Sequence, residues 1–141
     1  MASAADIDSR IDDEAIVRSI REVLPDLEAI YRHGSSVTGR MRPGSDVDIA
    51  ILTSRPVDAD QLLSLYAGIE GVGDHDLDVI LLAQAGPVAQ FEVLSNNVLL
   101  YERNNGTRPA FEMRAVREYQ DYLLRTRPIF QELRASGWPI H

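Results

Sequence analysis

Apolar and polar positions alternate along this chain with periods that change from helical to strand-like and back. In residues 12–24, Ile16, Ile20 and Leu24 recur every four positions, with Asp12, Asp13 and Glu14 at the start. That spacing predicts an amphipathic helix whose acidic first turn suits its dipole, ended near Pro25. Residues 27–32 read as a short strand running into Gly34. Residues 36–41 fit a helical turn, Pro43-Gly44 a reverse turn, and residues 46–53 a second strand. Residues 57–69 are helical in pattern, with Leu62, Leu63, Leu65, Tyr66 and Ile69 as candidate core positions, and Gly71-Val72-Gly73 stops them. Residues 76–82 form a third strand, placed at the centre of the sheet by its nearly unbroken apolar run after Asp78. Gly86-Pro87 opens a helix through about residue 94, and residues 98–102 form a last short strand.

Beyond Asn104-Asn105-Gly106, Thr107 as N-cap and Pro109 in the first turn open a long helix. Phe111, Ala115, Tyr119, Tyr122 and Leu123 mark its apolar side; Pro128 is expected to kink or divide it and Gly137 to end it. Residues 1–10 read as a loose polar terminus. Strands alternating with helices predict an α/β sheet covered by helices, with a helical tail. The expectation is one domain over residues 1–141, with a core at about 12–103 and a tail at about 107–141.

Composition narrows the class. The chain is 45% hydrophobic, ordinary for a globular domain, and no apolar run reaches the ~20 residues of a membrane helix. Its start, Met-Ala-Ser-Ala-Ala-Asp-Ile-Asp, has neither the basic nor the apolar region of a signal peptide. Without cysteine there are no disulfides or thiolate metal sites, and the cytoplasm is the default compartment. Charge is uneven: residues 1–100 hold 7 Arg against 17 acids, residues 101–141 hold 7 Arg against 5, and lysine is absent. An acidic body argues against nonspecific nucleic-acid binding and suits a basic protein partner, although acidity also serves solubility.

The chemistry concentrates in residues 31–52. An apolar strand ends in Gly34-Ser35, and after ten residues a second strand carries Asp46-Val47-Asp48. Strand side chains alternate, so Asp46 and Asp48 share one face while Val47, Ile49 and Ile51 take the other. Two carboxylates held that close repel each other unless a cation lies between them. A Gly-Ser turn nearby can offer backbone N–H groups to a phosphate. The residues therefore read as a metal-and-phosphate site. His33, His75 and His141 lack metal-ligand spacing and read as structural or surface residues, and Trp138 as a side chain docking on the body or a partner.

Gly34-Ser35, ten residues, then Asp46-Val47-Asp48 is the GSX10DXD pattern, and it resembles the DNA polymerase β-like nucleotidyltransferase superfamily. Gly39, Arg42-Pro43, Ser45 and the Ile49-Ala50-Ile51-Leu52 run resemble its small members. The superfamily uses a short mixed sheet, so the resemblance implies an α/β (α+β) fold of that kind. It also implies Gly34, Ser35, Ser45 and Arg42 on the phosphates, with Asp46, Asp48 and a third carboxylate holding two Mg²⁺ for transfer from ATP. Asp78 is the preferred third carboxylate because it precedes an apolar run; Asp76, two residues earlier on the same face, is its competitor.

Size and the Tyr-rich helix with Arg127-Pro128 resemble the minimal nucleotidyltransferase antitoxins of HEPN/MNT toxin–antitoxin systems. That implies AMP transfer to a tyrosine of a HEPN ribonuclease partner, with no direct nucleic acid and no membrane involved. A small-molecule nucleotidyltransferase subunit of the aminoglycoside type and an antitoxin acting by binding alone are the rival expectations. The aromatic, net basic tail is an expected partner-docking face, since Trp, Tyr and Arg dominate interface energetics.

Overall fold

The computed structural model describes residues 11–137. Among them five helices and four strands follow in order: α1 (Asp13–Val23), β1 (Leu27–His33), α2 (Ser35–Thr38), β2 (Val47–Thr53), α3 (Ala59–Ile69), β3 (Leu77–Leu81), α4 (Pro87–Ser95), β4 (Asn97–Glu102) and α5 (Thr107–Ala135). A 3-10 turn at Leu82–Gln84 links β3 to α4. The strands lie in the order β3-β2-β1-β4, with β1 antiparallel to both neighbours and β2 parallel to β3. This is the expected mixed α+β sheet; its one parallel pair is bridged by α3, as parallel strands require a crossover.

β3 is an edge strand, not the central one expected from its apolar run. Helices cover both faces of the sheet, so an apolar run reports coverage and not the number of strand neighbours. The interior strands are β1 and β2. β1 escaped that reading because it buries two charges, Glu28 and Arg32. Both are partnered, as burial demands: Glu28 accepts from Asn105 Nδ2 at 3.0 Å and Arg103 Nη1 at 3.5 Å, and Arg32 Nε donates to Asp13 Oδ1 at 3.1 Å.

Each face has its own core. α1 and α3 set Ile16, Ile20, Leu65 and Ile69 against Val47, Ile49 and Ile51. On the other face α4 and α5 set Val93, Phe111 and Ala115 against Ala29, Tyr31, Ala50 and Leu52. Burying a side chain of Ile or Leu size contributes about 1.5–3 kcal/mol, so these contacts hold the two layers on the sheet.

Four local expectations change. α3 begins at Ala59, where Asp58 and Gln61 form a reciprocal capping box. Its Leu63 and Tyr66 are exposed, because only the stripe through Leu65 and Ile69 meets the sheet. In α5, Thr107 is the first helical residue and Gly106 the N-cap; the Thr107 N–H donates to Asn105 Oδ1 at 3.1 Å. The helix runs undivided through Pro128. Among the described residues no helix is long and apolar enough to cross a membrane. Residues 1–10 and Trp138 lie outside the described residues.

Candidate active site

The strand pairing builds a row of polar side chains at one end of the sheet. Asp48 on β2 lies opposite His33 on β1 and opposite Asp78 on β3. Directly paired residues point to the same face, so all three project on the side of Ala50, Tyr31 and α4. Asp46 stands just before β2, two residues from Asp48. Asp76 lies before the last registered pair, Val47↔Leu77, where its backbone carbonyl accepts from Val47 N–H at 2.8 Å. The structure thus brings Asp46, Asp48 and Asp78 together.

The electrostatics follow from that convergence. Burial pushes the Asp48 carboxyl above its ordinary value; His33 draws it back, and Asp78 and Asp46 push it further up. Burial pulls the His33 imidazole below its ordinary value, against the opposing influence of Asp48, Asp78 and Glu92. The buried Nε2 of His33 has no hydrogen-bond partner. No salt bridge among the described residues involves Asp46, Asp48 or Asp78.

Gly34 is fitted to this row. Its φ is +74°, and a Cβ there would lie 2.1 Å from Asp48 Oδ2, so only glycine allows the carboxylate to rest on the turn. Ser35 then begins α2, whose first N–H groups have no acceptor within the helix. Arg32 anchors the turn from beneath, with Nη1 donating to the Ser36 carbonyl at 3.1 Å while Nε holds Asp13 of α1. Ser45 closes a different turn: its Oγ accepts from Arg42 N–H at 3.1 Å, and its own N–H donates to the Arg42 carbonyl at 2.9 Å. The role visible for Ser45 is local, and the Arg42 side chain is exposed.

Three neighbours of the site escaped sequence reasoning. Alternation from Tyr31 placed His33 on the Asp48 face once the strand was extended by one residue, so that signal was available. Arg32 was hidden by its charge in a strand otherwise apolar. Glu92 is set beside His33 only by the packing of α4, for which no sequence signal existed.

Among the described residues, no three His, Asp or Glu side chains form a group that holds a metal by itself. The row nevertheless fits Mg²⁺, which keeps several waters and binds through one or two carboxylates plus substrate phosphates rather than an all-protein cage. Three like charges without a cationic partner are the donor chemistry such an ion neutralises. A groove of about 650 Å³ between α1 and Leu100 lies on the opposite face and takes no part in this row.

Residues 14–106 match the family model described as polymerase beta, nucleotidyltransferase. The chain belongs to this family. Within the nucleotidyltransferases it is 27% identical over 113 residues to the protein adenylyltransferase MntA of Shewanella oneidensis, spanning 80% of this chain and 78% of that protein. The fold also matches that of a toxin–antitoxin complex crystallised with AMP-PNP, at TM-score 0.77 and 23% identity, over 87% of this chain and 98% of the other. A second match is a tri-AMPylated Shewanella oneidensis HEPN toxin in complex with MNT antitoxin, at TM-score 0.70 and 22% identity, over 86% and 94% of the two chains. A nucleotidyltransferase-like chain from Sulfolobus solfataricus aligns less fully, at TM-score 0.51 over 74% of this chain.

Proposed function

We propose that this chain is an antitoxin nucleotidyltransferase that transfers AMP from ATP to a tyrosine of a HEPN ribonuclease toxin. The observation that carries the reading is the register of Asp48 with Asp78 beside the Gly34 turn. It sets three acidic side chains beside a glycine turn in a chain similar to an adenylyltransferase over most of its length.

In this reading Asp46, Asp48 and Asp78 hold the divalent ions. Two bound Mg²⁺ supply charge neutralisation on the triphosphate and lower the pKa of the attacking hydroxyl. The N–H groups of Gly34 and Ser35 orient the phosphates, with Arg42 reaching them from its exposed turn. Asp78 takes the proton of the tyrosine hydroxyl. The tyrosine oxygen forms a bond to the α-phosphorus, the bond to the bridging oxygen breaks, and pyrophosphate leaves with the electron pair. Protein chemistry in such transfer is mostly positioning and electrostatic stabilisation, which a rigid strand row supplies. The acceptor is carried in by the partner protein, and the cytoplasm is the compartment in which ATP, Mg²⁺ and such a partner meet.

The test is incubation of the purified chain with its co-encoded helical partner, ATP and Mg²⁺, followed by intact-mass and peptide mass spectrometry. The expected result is a partner tyrosine heavier by one or more AMP units and loss of ribonuclease activity. A tight complex with unmodified partner, or AMP found only on a small molecule, would overturn the reading.

A further inference from the structure

The two halves of α5 have opposite surroundings. In the first, Phe111 and Ala115 are buried, Glu112 accepts from the Tyr31 hydroxyl at 3.2 Å, and Tyr119 stacks on Phe91 of α4 at 3.9 Å. These contacts give the helix its direction. β4 begins with Asn97 opposite His33 and ends with Glu102 at the other end of the sheet, so α5 starts at the end remote from the carboxylates. Passing Tyr31 and then Phe91, next to Glu92, it runs toward the carboxylate end on the carboxylate face. Beyond Tyr122 several of its apolar side chains lie open: Leu123 is 44% exposed, Leu124 67% and Phe130 41%, while Leu133 is half-buried. Residues 123–135 amount to roughly 20 Å of helix beyond Tyr122.

The chemistry of this extension is directional. The face that packs through positions 111, 115, 119 and 122 continues at helical spacing into a groove of about 300 Å³ lined by Leu123, Thr126, Arg127, Phe130, Gln131 and Arg134. That groove holds two guanidinium groups and no acid, in a chain whose first hundred residues are strongly acidic. Two copies paired antiparallel through it would set arginines against arginines, which costs several kcal/mol at an interface. The acidic body of a second copy is the competing occupant, reached by reciprocal exchange of arms or by a ring of copies, and the oligomeric state of the chain alone tests it. An acidic helix of another protein satisfies both the apolar stripe and the charge of this arm, whereas the basic partner expected from the acidic body would be repelled here. Such a partner is repelled by the acidic row of Asp46, Asp48 and Asp78, so it is held by the arm and offers a neutral hydroxyl to the row.

We infer that residues 123–134 of α5 form a docking arm that grips an acidic, apolar-striped helix of the acceptor protein and places it over the carboxylate end. This inference rests on the proposed transfer reaction for its acceptor, but its readout does not. The experiment measures binding of the HEPN partner by the full chain carrying Asp46→Asn and Asp48→Asn, with and without Arg127→Glu plus Arg134→Glu, and separately with Phe130→Ala. Each arm variant is expected to weaken the complex about tenfold or more, with thermal stability held because these side chains are exposed. In chains with intact aspartates the same variants are expected to raise KM for the partner by a similar factor while leaving kcat and ATP binding within about twofold. Unchanged partner affinity overturns the arm. So does a wild-type chain that is dimeric alone and becomes monomeric with the arm substitutions, since the occupant is then a second copy. Weakened binding with no AMP transfer by any chain supports the arm and overturns the transfer reaction instead.

Discussion

Both ends of the four-stranded sheet carry carboxylates, and the two ends treat them oppositely. At the end where β4 meets α5, three acids have cationic or hydrogen-bonding company. Glu28 is bonded by Arg103 and Asn105, while Arg108 binds Glu102 and Glu112 and the latter accepts from Tyr31. At the other end Asp46, Asp48 and Asp78 face one another, and burial with like charge pushes Asp48 upward. Paired acids pin α5 to the sheet; unpaired acids leave a deficit of positive charge that a cation and a nucleotide can fill. One end is organised for stability, and the other holds the acids that the proposed transfer would use.

The largest expected effect breaks the functional end alone. Asp46→Asn with Asp48→Asn is expected to lower AMP transfer by about a thousandfold or more, as loss of metal ligation and charge stabilisation together would. Stability should hold or rise at neutral pH. The sign follows from Asp48, whose folded pKa lies above its ordinary value of 3.8: ionisation on raising pH through the folded pKa costs the native state stability. The advantage of the Asn variant in melting temperature is therefore expected at neutral pH and absent below pH 3.8. A large loss of melting temperature at neutral pH would place these aspartates among the structural acids, and retained transfer would move the site elsewhere.

The opposite end is expected to answer in the opposite way. Glu28→Ala removes the buried acceptor of Arg103 and Asn105, and a cost of about 2–3 kcal/mol in a denaturant titration is expected. kcat should stay within about twofold, since Glu28 lies across the sheet from the carboxylate row. A tenfold fall in kcat with unaltered stability would dissolve the contrast between the ends.

The smallest effect sharpens it. Tyr31→Phe deletes one hydroxyl, while Arg108 still satisfies Glu112. A loss of about 1 kcal/mol is expected. Burial and Glu112 push the Tyr31 phenol well above its ordinary range, so the group stays neutral and the cost should be flat across pH 5–9. A cost that varies steeply across that interval would mean that the hydroxyl is coupled to a titrating group at the far end.

Much of this was legible in one dimension, because it depends on neighbours along the chain. Helix caps and apolar periods gave α1, α4 and the strands to within about two residues. The spacing of Gly34-Ser35 from Asp46 and Asp48 exposed the candidate site, since alternation alone puts both aspartates on one face. What depends on pairing across the chain was not legible. Strand order put β3 at the edge, because coverage by helices and interior position leave the same apolar run. That Asp78 lies directly opposite Asp48 is a fact of the β2–β3 register, which the order of residues along one strand leaves open. Likewise the fit of Gly34 against Asp48, the nearness of His33 and Glu92, and the pairing of acids at one end but not the other exist only once the sheet is assembled. Electrostatic roles are set by distance in space, and the chain's order leaves that distance open until folding closes it.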